Sequence, residues 1–193
     1  MARPEATDTK QAILDAAETC FAEHGFSGAS VKMIADACGQ KVPNIIHHFG
    51  TKHDLFCAML DRVFTPFVEM PELSDRAVDN VRLFVTGFAE FSYANPLIHR
   101  LIVTEQHAPE RLAHMLTFMR PILGAVAEEM ARAQEAGDLP PGDPIVKIYA
   151  IIGTLGSLAS NEPEQRGVFG DWKRPDAKAA AAEVMALIGA APD

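Results

Sequence analysis

The chain has 193 residues, of which 48% are hydrophobic and 22% charged, a composition typical of a folded globular protein. Its three cysteines form no CxxC pair, which argues against a disulfide framework or a zinc ribbon. No apolar run approaches the ~18 residues of a membrane span and the first residues lack the apolar core of a signal peptide, so we expect a cytoplasmic protein without a membrane partner. The formal net charge of −9 counts against nucleic acid as a partner.

One short stretch departs from this acidic balance. Between residues 30 and 53, Lys32, Lys41 and Lys52 stand against one acidic side chain, Asp36, and three histidines lie among them. Because binding to phosphate is driven by local basic surface, this stretch is the place to look for a nucleic-acid contact.

Hydrophobic periodicity predicts helices along almost the whole chain. The first helix is predicted from Asp8 to His24, with Asp8 and Gln11 as a capping box and Gly25 as its stop. Such a helix buries an apolar stripe against whatever follows it.

Three shorter helices are predicted next. Ser30 is a good N-cap for the second, Gly39 supplies the turn after it, and the third ends near Phe49. Thr51 and Asp54 are spaced to begin a fourth helix, which we expect to reach about residue 70 and to bend at Pro66.

The remainder is predicted to be long helices separated by proline and glycine. Pro121 is expected to kink or break the longest of them, and residues 137–142 and 161–174 are expected to be loops. The predicted segments are 74–94, 96–106, 109–136, 144–160 and 175–188.

The residues around the basic stretch carry a resemblance. The sequence SVKMIADACGQKVPNIIHHF at 30–49, followed by GTKHDLF at 50–56 and preceded by ILDAAETCFAEHGF at 13–26, resembles the helix-turn-helix DNA-binding domain of the TetR family of transcriptional regulators. The resemblance implies an all-α protein with an N-terminal three-helix DNA-binding domain, residues 1–53. It also implies a larger C-terminal helical bundle, residues 54–193, for effector binding and dimerisation.

The resemblance also implies roles for individual residues. The N-cap of the second helix and the lysine after the third contact phosphate in that family, and the recognition helix presents side chains to base edges. Ile46 stands where members commonly carry a phosphate-binding tyrosine, and Lys41 stands where many carry a capping serine. The candidate DNA-binding residues are Ser30, Lys32, Gln40, Lys41, Val42, Pro43, Asn44, His47, His48 and Lys52.

A second candidate site comes from an excess of methionine and phenylalanine on the fourth to seventh helices. Most such side chains are ordinary core, but methionine also lines permissive cavities, so we expect part of this set to bind a small apolar effector. The candidate effector-binding residues are Met59, Phe64, Phe67, Phe84, Phe88, Phe91, His99, Met115, Phe118, Met119 and Tyr149.

The segment 145–158 is apolar almost all round, so it should be buried on more than one side, and Gly153 and Gly156 would allow another helix to approach closely. We expect a homodimer formed through residues 145–160 and 175–190, the alternative being a core helix within one chain.

These observations predict a regulator that binds a palindromic operator as a dimer, represses by blocking access, and is released by the apolar effector. No catalytic residue and no cofactor is expected, and His99, His107 and His114 lack the spacing of metal ligands. The departures at Ile46 and Lys41 indicate a shifted or weaker operator preference. Two alternatives stay open: a ligand-binding helical dimer that has lost DNA binding, which these departures do not exclude, and a small helical enzyme or carrier of apolar ligands.

Overall fold

A computed structural model of the chain describes residues 6–68, 73–105 and 109–190. Over these ranges the chain forms α-helices and no strand, which confirms the predicted all-α fold. The helices are α1 (Ala6–Gly28), α2 (Val31–Ala37), α3 (Val42–Phe49), α4 (Lys52–Val68), α5 (Ala77–Ala94), α6 (Pro96–Glu105), α7 (Pro109–Glu135), α8 (Pro144–Ser160), α9 (Glu162–Phe169) and α10 (Ala177–Leu187).

The start of α1 differs from the prediction. The helix is already formed at Ala6, so Asp8 lies in its first turn, and Gln11 donates to Asp15 at 3.2 Å. The predicted Asp8–Gln11 capping box is therefore wrong. Gly25 does interrupt the helix, with φ 67° and ψ 169°, a conformation that residues with a Cβ rarely adopt.

The chain forms two compact units. The first consists of the described residues up to 66 and of those within 100–116. Its core is built on large side chains from α1 to α4 that are at most 1% exposed, among them Ile13, Phe21, Ile34, Ile45 and Phe56. The rings of Phe21 and Phe56 meet edge to face at 5.1 Å, so α1 and α4 pack against each other in this core.

The second unit consists of the described residues within 67–99 and 117–190. Its core is a continuous apolar cluster contributed mainly by α5, α7, α8 and α10, in which Val81, Phe84, Ile151 and Leu155 are at most 1% exposed. Among the described residues, no helix combines the length and the apolar character that crossing a bilayer requires.

The second unit differs from the sequence prediction at two places. Residues 161–174 are not a continuous loop, because α9 forms within them, with a proline in its first turn and Gly170 at φ 65° as its end. Pro121 does not break α7, which is continuous from Pro109 to Glu135. Helical hydrogen bonding over so long a segment outweighs the local cost of the one missing donor.

The apolar helix α8 is buried on one side only within the chain. Ile148, Ile151 and Leu155 are buried, whereas Val146 and Tyr149 are 65% and 72% exposed. Gly156 lies against His99 of α6, so the close approach that we predicted for this glycine takes place inside one chain. Gly153 is the glycine that faces outward, with open space around it.

Candidate nucleic-acid interface

The helix pair α2 and α3 is fixed by its caps and its turn. Ser30 has extended backbone angles and its hydroxyl accepts a hydrogen bond from Met33 N at 3.2 Å, as an N-cap does. Gly39 takes φ 66° in the turn, and Gln40 N donates to Ala35 O at 2.9 Å. The predicted cap at Ser30 and the predicted turn at Gly39 are confirmed, and together they give the geometry of a helix-turn-helix.

Helix α3 packs through one side chain and exposes most of the others. Ile45 is 1% exposed, and the segment ends at Gly50, whose φ of 84° closes the helix. Lys41 occupies the N-cap without a side-chain hydrogen bond to the helix, so the start of α3 lacks the bond that a capping serine would supply. The exposed side chains of the segment are Lys41, Val42, Pro43, Ile46 and His47.

Two of the polar candidates already have partners within the protein. Lys32 Nζ lies 2.7 Å from Asp36 Oδ2, with both side chains largely exposed. Asn44 donates to Gln40 Oε1 at 2.7 Å. An exposed ion pair such as Lys32–Asp36 contributes little to stability, so a phosphate could replace Asp36 as the partner of Lys32 at small cost.

Lys52 occupies a different environment from the other lysines. Its ammonium group donates to Phe26 O at 2.8 Å and Ala29 O at 3.0 Å, and it lies 4.4 Å from the centre of the Phe26 ring. The structure therefore places the charge of Lys52 on the carbonyls that follow the break in α1. A direct phosphate contact, as the resemblance implies, would require this group to leave both carbonyls.

The start of α4 carries the capping box that the sequence predicts. Asp54 N donates to Thr51 Oγ1 at 3.1 Å, and Asp54 Oδ2 accepts from Thr51 N at 2.9 Å. The hydrogen bond from Thr51 N, followed by the one from its hydroxyl, holds the pKa of Asp54 below its ordinary value. The confirmed box fixes the direction in which α4 leaves the helix-turn-helix.

One contact of this unit has no counterpart in the sequence analysis. Glu105, at the end of α6, is 4% exposed, and its carboxylate accepts from Phe26 N at 2.8 Å. Arg62 of α4 similarly bridges to Asp15 and, at 2.7 Å, to Glu18 of α1. These partners are 44 to 79 residues apart in the sequence, and no local motif signals such pairs.

The comparisons with known proteins agree with this geometry. Residues 13–59 match the family model described as bacterial regulatory proteins, tetR family. The transcriptional repressor AcnR of Corynebacterium glutamicum is 47% identical to the chain over 53 residues, which cover 28% of each protein. The chain therefore carries a TetR-type helix-turn-helix over residues 13–59. The match to AcnR leaves most of that relative's length unmatched.

Other TetR-type proteins resemble the chain over more of its length. The transcriptional regulator UidR of Escherichia coli is 28% identical over 141 residues, covering 71% of this chain and 72% of UidR. The crystal structure of AibR in complex with isovaleryl coenzyme A and operator DNA superposes with a TM-score of 0.74 at 20% identity, covering 95% of this chain and 100% of AibR. At that identity the likeness shows a shared fold, with a helix-turn-helix followed by a helical domain.

The candidate effector residues are divided between the two units of the chain. Met59, Phe64 and Met115 are buried in the first unit, while Phe84 and Phe88 are buried in the second, with their rings stacked at 5.9 Å. Phe91, His99, Phe118 and Met119 are partly buried in the second unit, and the side chain of Phe67 lies outside the described residues. An open groove of the first unit lies elsewhere, between α1 and α2.

One further candidate differs from the expectation. Tyr149 projects from the exposed side of α8, so it does not line the interior of its unit. His99 is half-buried, and burial lowers its pKa below the ordinary value of 6.5. Within the described ranges no cluster of histidine, cysteine and acidic side chains could hold a metal ion, and His107 lies outside those ranges.

Proposed function

We propose that the chain is a homodimeric transcriptional repressor that binds a palindromic operator and is released by a small, largely apolar effector. The observation that carries the proposal is the capped helix pair: Ser30 and Gly39 set α2 and α3, and α3 presents an exposed face of a size that fits the major groove. A dimer over a promoter blocks access, which favours repression over activation.

The roles of the candidate residues follow from their chemistry and placement. We assign to Ser30, Lys32 and Lys41 the role of holding phosphates, because a helix start and two lysines attract anions. Asn44 would exchange its bond with Gln40 for a bidentate contact to adenine, and His47 and His48 would donate to base edges or phosphate. Lys52 would act indirectly, by holding the carbonyls behind the interface.

Dimerisation is supported by the side of α8 that the chain leaves uncovered. Ile145, Val146 and Tyr149 are 58%, 65% and 72% exposed, and Leu187 of α10 is 67% exposed. Large apolar side chains at this exposure mark a surface that is buried in an assembly. Two copies meeting through 145–160 and 175–190 would form a four-helix bundle of the kind that closes a two-fold dimer.

Effector binding is supported by the aromatic content of the helical unit. AibR, a structural neighbour, was crystallised with an acyl coenzyme A and operator DNA together. In this chain Phe84, Phe88 and Phe91 follow one another along α5, and an apolar ligand could enter among them if the core opens. Replacing Phe88 by tryptophan would fill such a site and should weaken the response to an effector while leaving operator affinity unchanged.

The experiment is a titration of the purified chain onto labelled duplexes that tile the DNA flanking its own gene, read by fluorescence anisotropy at two salt concentrations. We expect one palindromic duplex to bind far more tightly than mixed-sequence DNA of equal length. Lys41→Ala should weaken binding to all duplexes and lower the salt slope by about one per subunit. Lys173→Ala, which removes an exposed lysine in the loop before α10, is the matched control and should change neither quantity.

The outcomes separate the proposal from its alternatives. Equal binding of every duplex, or no binding at all, would favour a ligand-binding dimer that has lost DNA recognition. If the chain binds an operator and no apolar compound dissociates the complex, the proposed repressor function stands and the proposed apolar effector is rejected.

A further inference from the structure

The exposed face of α3 is mainly apolar. Four of its side chains are exposed: Val42, Pro43, Ile46 and His47. Ile46 is 44% exposed and Val42 is 37% exposed, and the two lie one helical turn apart on the same side of the helix. Two neighbouring branched aliphatic side chains in water offer a small apolar surface to a binding partner.

Neither residue is required at the surface by the packing of its own unit. Helix α3 makes its core contact through Ile45, which is 1% exposed, so the packing of α3 does not depend on Ile46. Asn44, the polar residue of α3 that could recognise a base, already donates a hydrogen bond to Gln40 at 2.7 Å. Ile46 has no hydrogen-bond donor, so it cannot hold a phosphate as the tyrosine of related sequences does.

The major groove offers one apolar group, the C5-methyl of thymine, and an aliphatic side chain is its complement. We propose that Ile46, together with Val42, packs against thymine methyl groups and is a specificity-determining residue. This inference rests on the proposed function, because it requires α3 to lie in the major groove. It predicts that each operator half-site carries thymines where this turn of α3 meets the bases, with Ile46 adding sequence preference where a tyrosine would have added only phosphate affinity.

The test begins with selection of tightly bound duplexes from a random library by the purified full chain. In the selected operator each thymine is then replaced, one at a time, by deoxyuridine, which removes the methyl and leaves base pairing intact. We expect one or two thymines in each half-site at which uracil weakens binding by about three- to fivefold, the effect of exposing one methyl-sized group to water. The other thymines should tolerate uracil.

The variant Ile46→Ala connects the effect to the side chain. It should bind the thymine operator more weakly than the parent does and should no longer distinguish uracil at one of the sensitive positions, because the methyl has lost its partner. Val168→Ala, which shortens an exposed valine of α9, is the matched control and should keep the parent's discrimination. A thermal unfolding curve of each variant verifies that it is folded.

Three results would overturn the inference. If the parent binds every uracil-substituted operator as tightly as the thymine operator, no methyl is read. If Ile46→Ala loses affinity equally for both operators, Ile46 contacts the backbone of the DNA instead. If selection yields no preferred duplex, the proposed function itself fails, a result distinct from the first two.

Discussion

Gly156 lies where α8 passes the ring of His99, and a Cβ atom built on this glycine would overlap that ring. Gly156→Ala should therefore lower the free energy of unfolding by about 1–3 kcal/mol, the usual cost of overfilling a packed contact. Gly124→Ala is the matched control, because Gly124 lies inside α7 with open space around it and should gain about 0.5–1 kcal/mol from the better helix former. Urea unfolding of both variants measures the two effects, and equal changes would contradict the contact.

His99 also gives the second unit a dependence on pH. Burial lowers the pKa of the folded form, so the unfolded chain takes up a proton first as the pH falls through 6.5. The stability that the neutral ring contributes is therefore complete above that pH and is lost below it, until the folded form is protonated as well. Urea unfolding at pH 7.5, 6.5 and 5.5 should show a smaller loss of stability in His99→Asn than in the parent. If the parent and His99→Asn lose the same stability as the pH falls, the pH dependence comes from other groups.

At the scale of the elements, Lys52 ties the start of α4 to the end of α1. The ammonium group of Lys52 forms hydrogen bonds with two carbonyls and contacts the Phe26 ring. Lys52 is therefore a structural group in the free protein. Lys52→Met should cost about 1–3 kcal/mol of stability and leave the salt slope of operator binding unchanged. Lys41→Ala should do the opposite, lowering the slope at unchanged stability. A lower salt slope of operator binding for Lys52→Met would instead indicate that Lys52 contacts phosphate directly.

The elements also show which features a sequence predicts. Ser30, Gly39 and the Thr51–Asp54 box were predictable because a cap or a tight turn is decided within three or four residues. The partners of Gly156 and Phe26 were not, since His99 and Glu105 reach them across the fold. Helix α9 was missed because glycine and proline, which usually mark loops, here stand at its two ends.

At the scale of the whole molecule, α8 leaves a strip of apolar surface that one chain does not cover. Val146→Asp places a charge in this strip and should convert the dimer into monomers, because a buried unpaired carboxylate costs far more than an exposed one. Val168→Asp adds the same charge to an equally exposed valine of α9, outside the proposed interface, and should leave the dimer intact. Sedimentation velocity distinguishes the two.

Loss of the dimer should carry a second consequence. A single helix-turn-helix binds one half-site weakly, and joining two of them makes the second contact intramolecular. Operator affinity should therefore fall steeply in Val146→Asp and stay near the parent's in Val168→Asp. A monomer that binds the operator as tightly as the parent would contradict recognition by two linked heads.

The break at Gly25 leaves an N–H group and carbonyls that a continuous helix would have paired. Two side chains that are distant in sequence and of opposite charge form hydrogen bonds with these groups. The carboxylate of Glu105 accepts a hydrogen bond from Phe26 N, and the ammonium group of Lys52 donates one to the Phe26 carbonyl. Each charge faces a backbone group whose polarity stays the same when the side chain is replaced. The double variant Glu105→Lys/Lys52→Glu should therefore not recover the stability that either single variant loses. Over evolutionary time, positions 52 and 105 should each keep their own sign of charge and should not covary, although both side chains contact the backbone of Phe26.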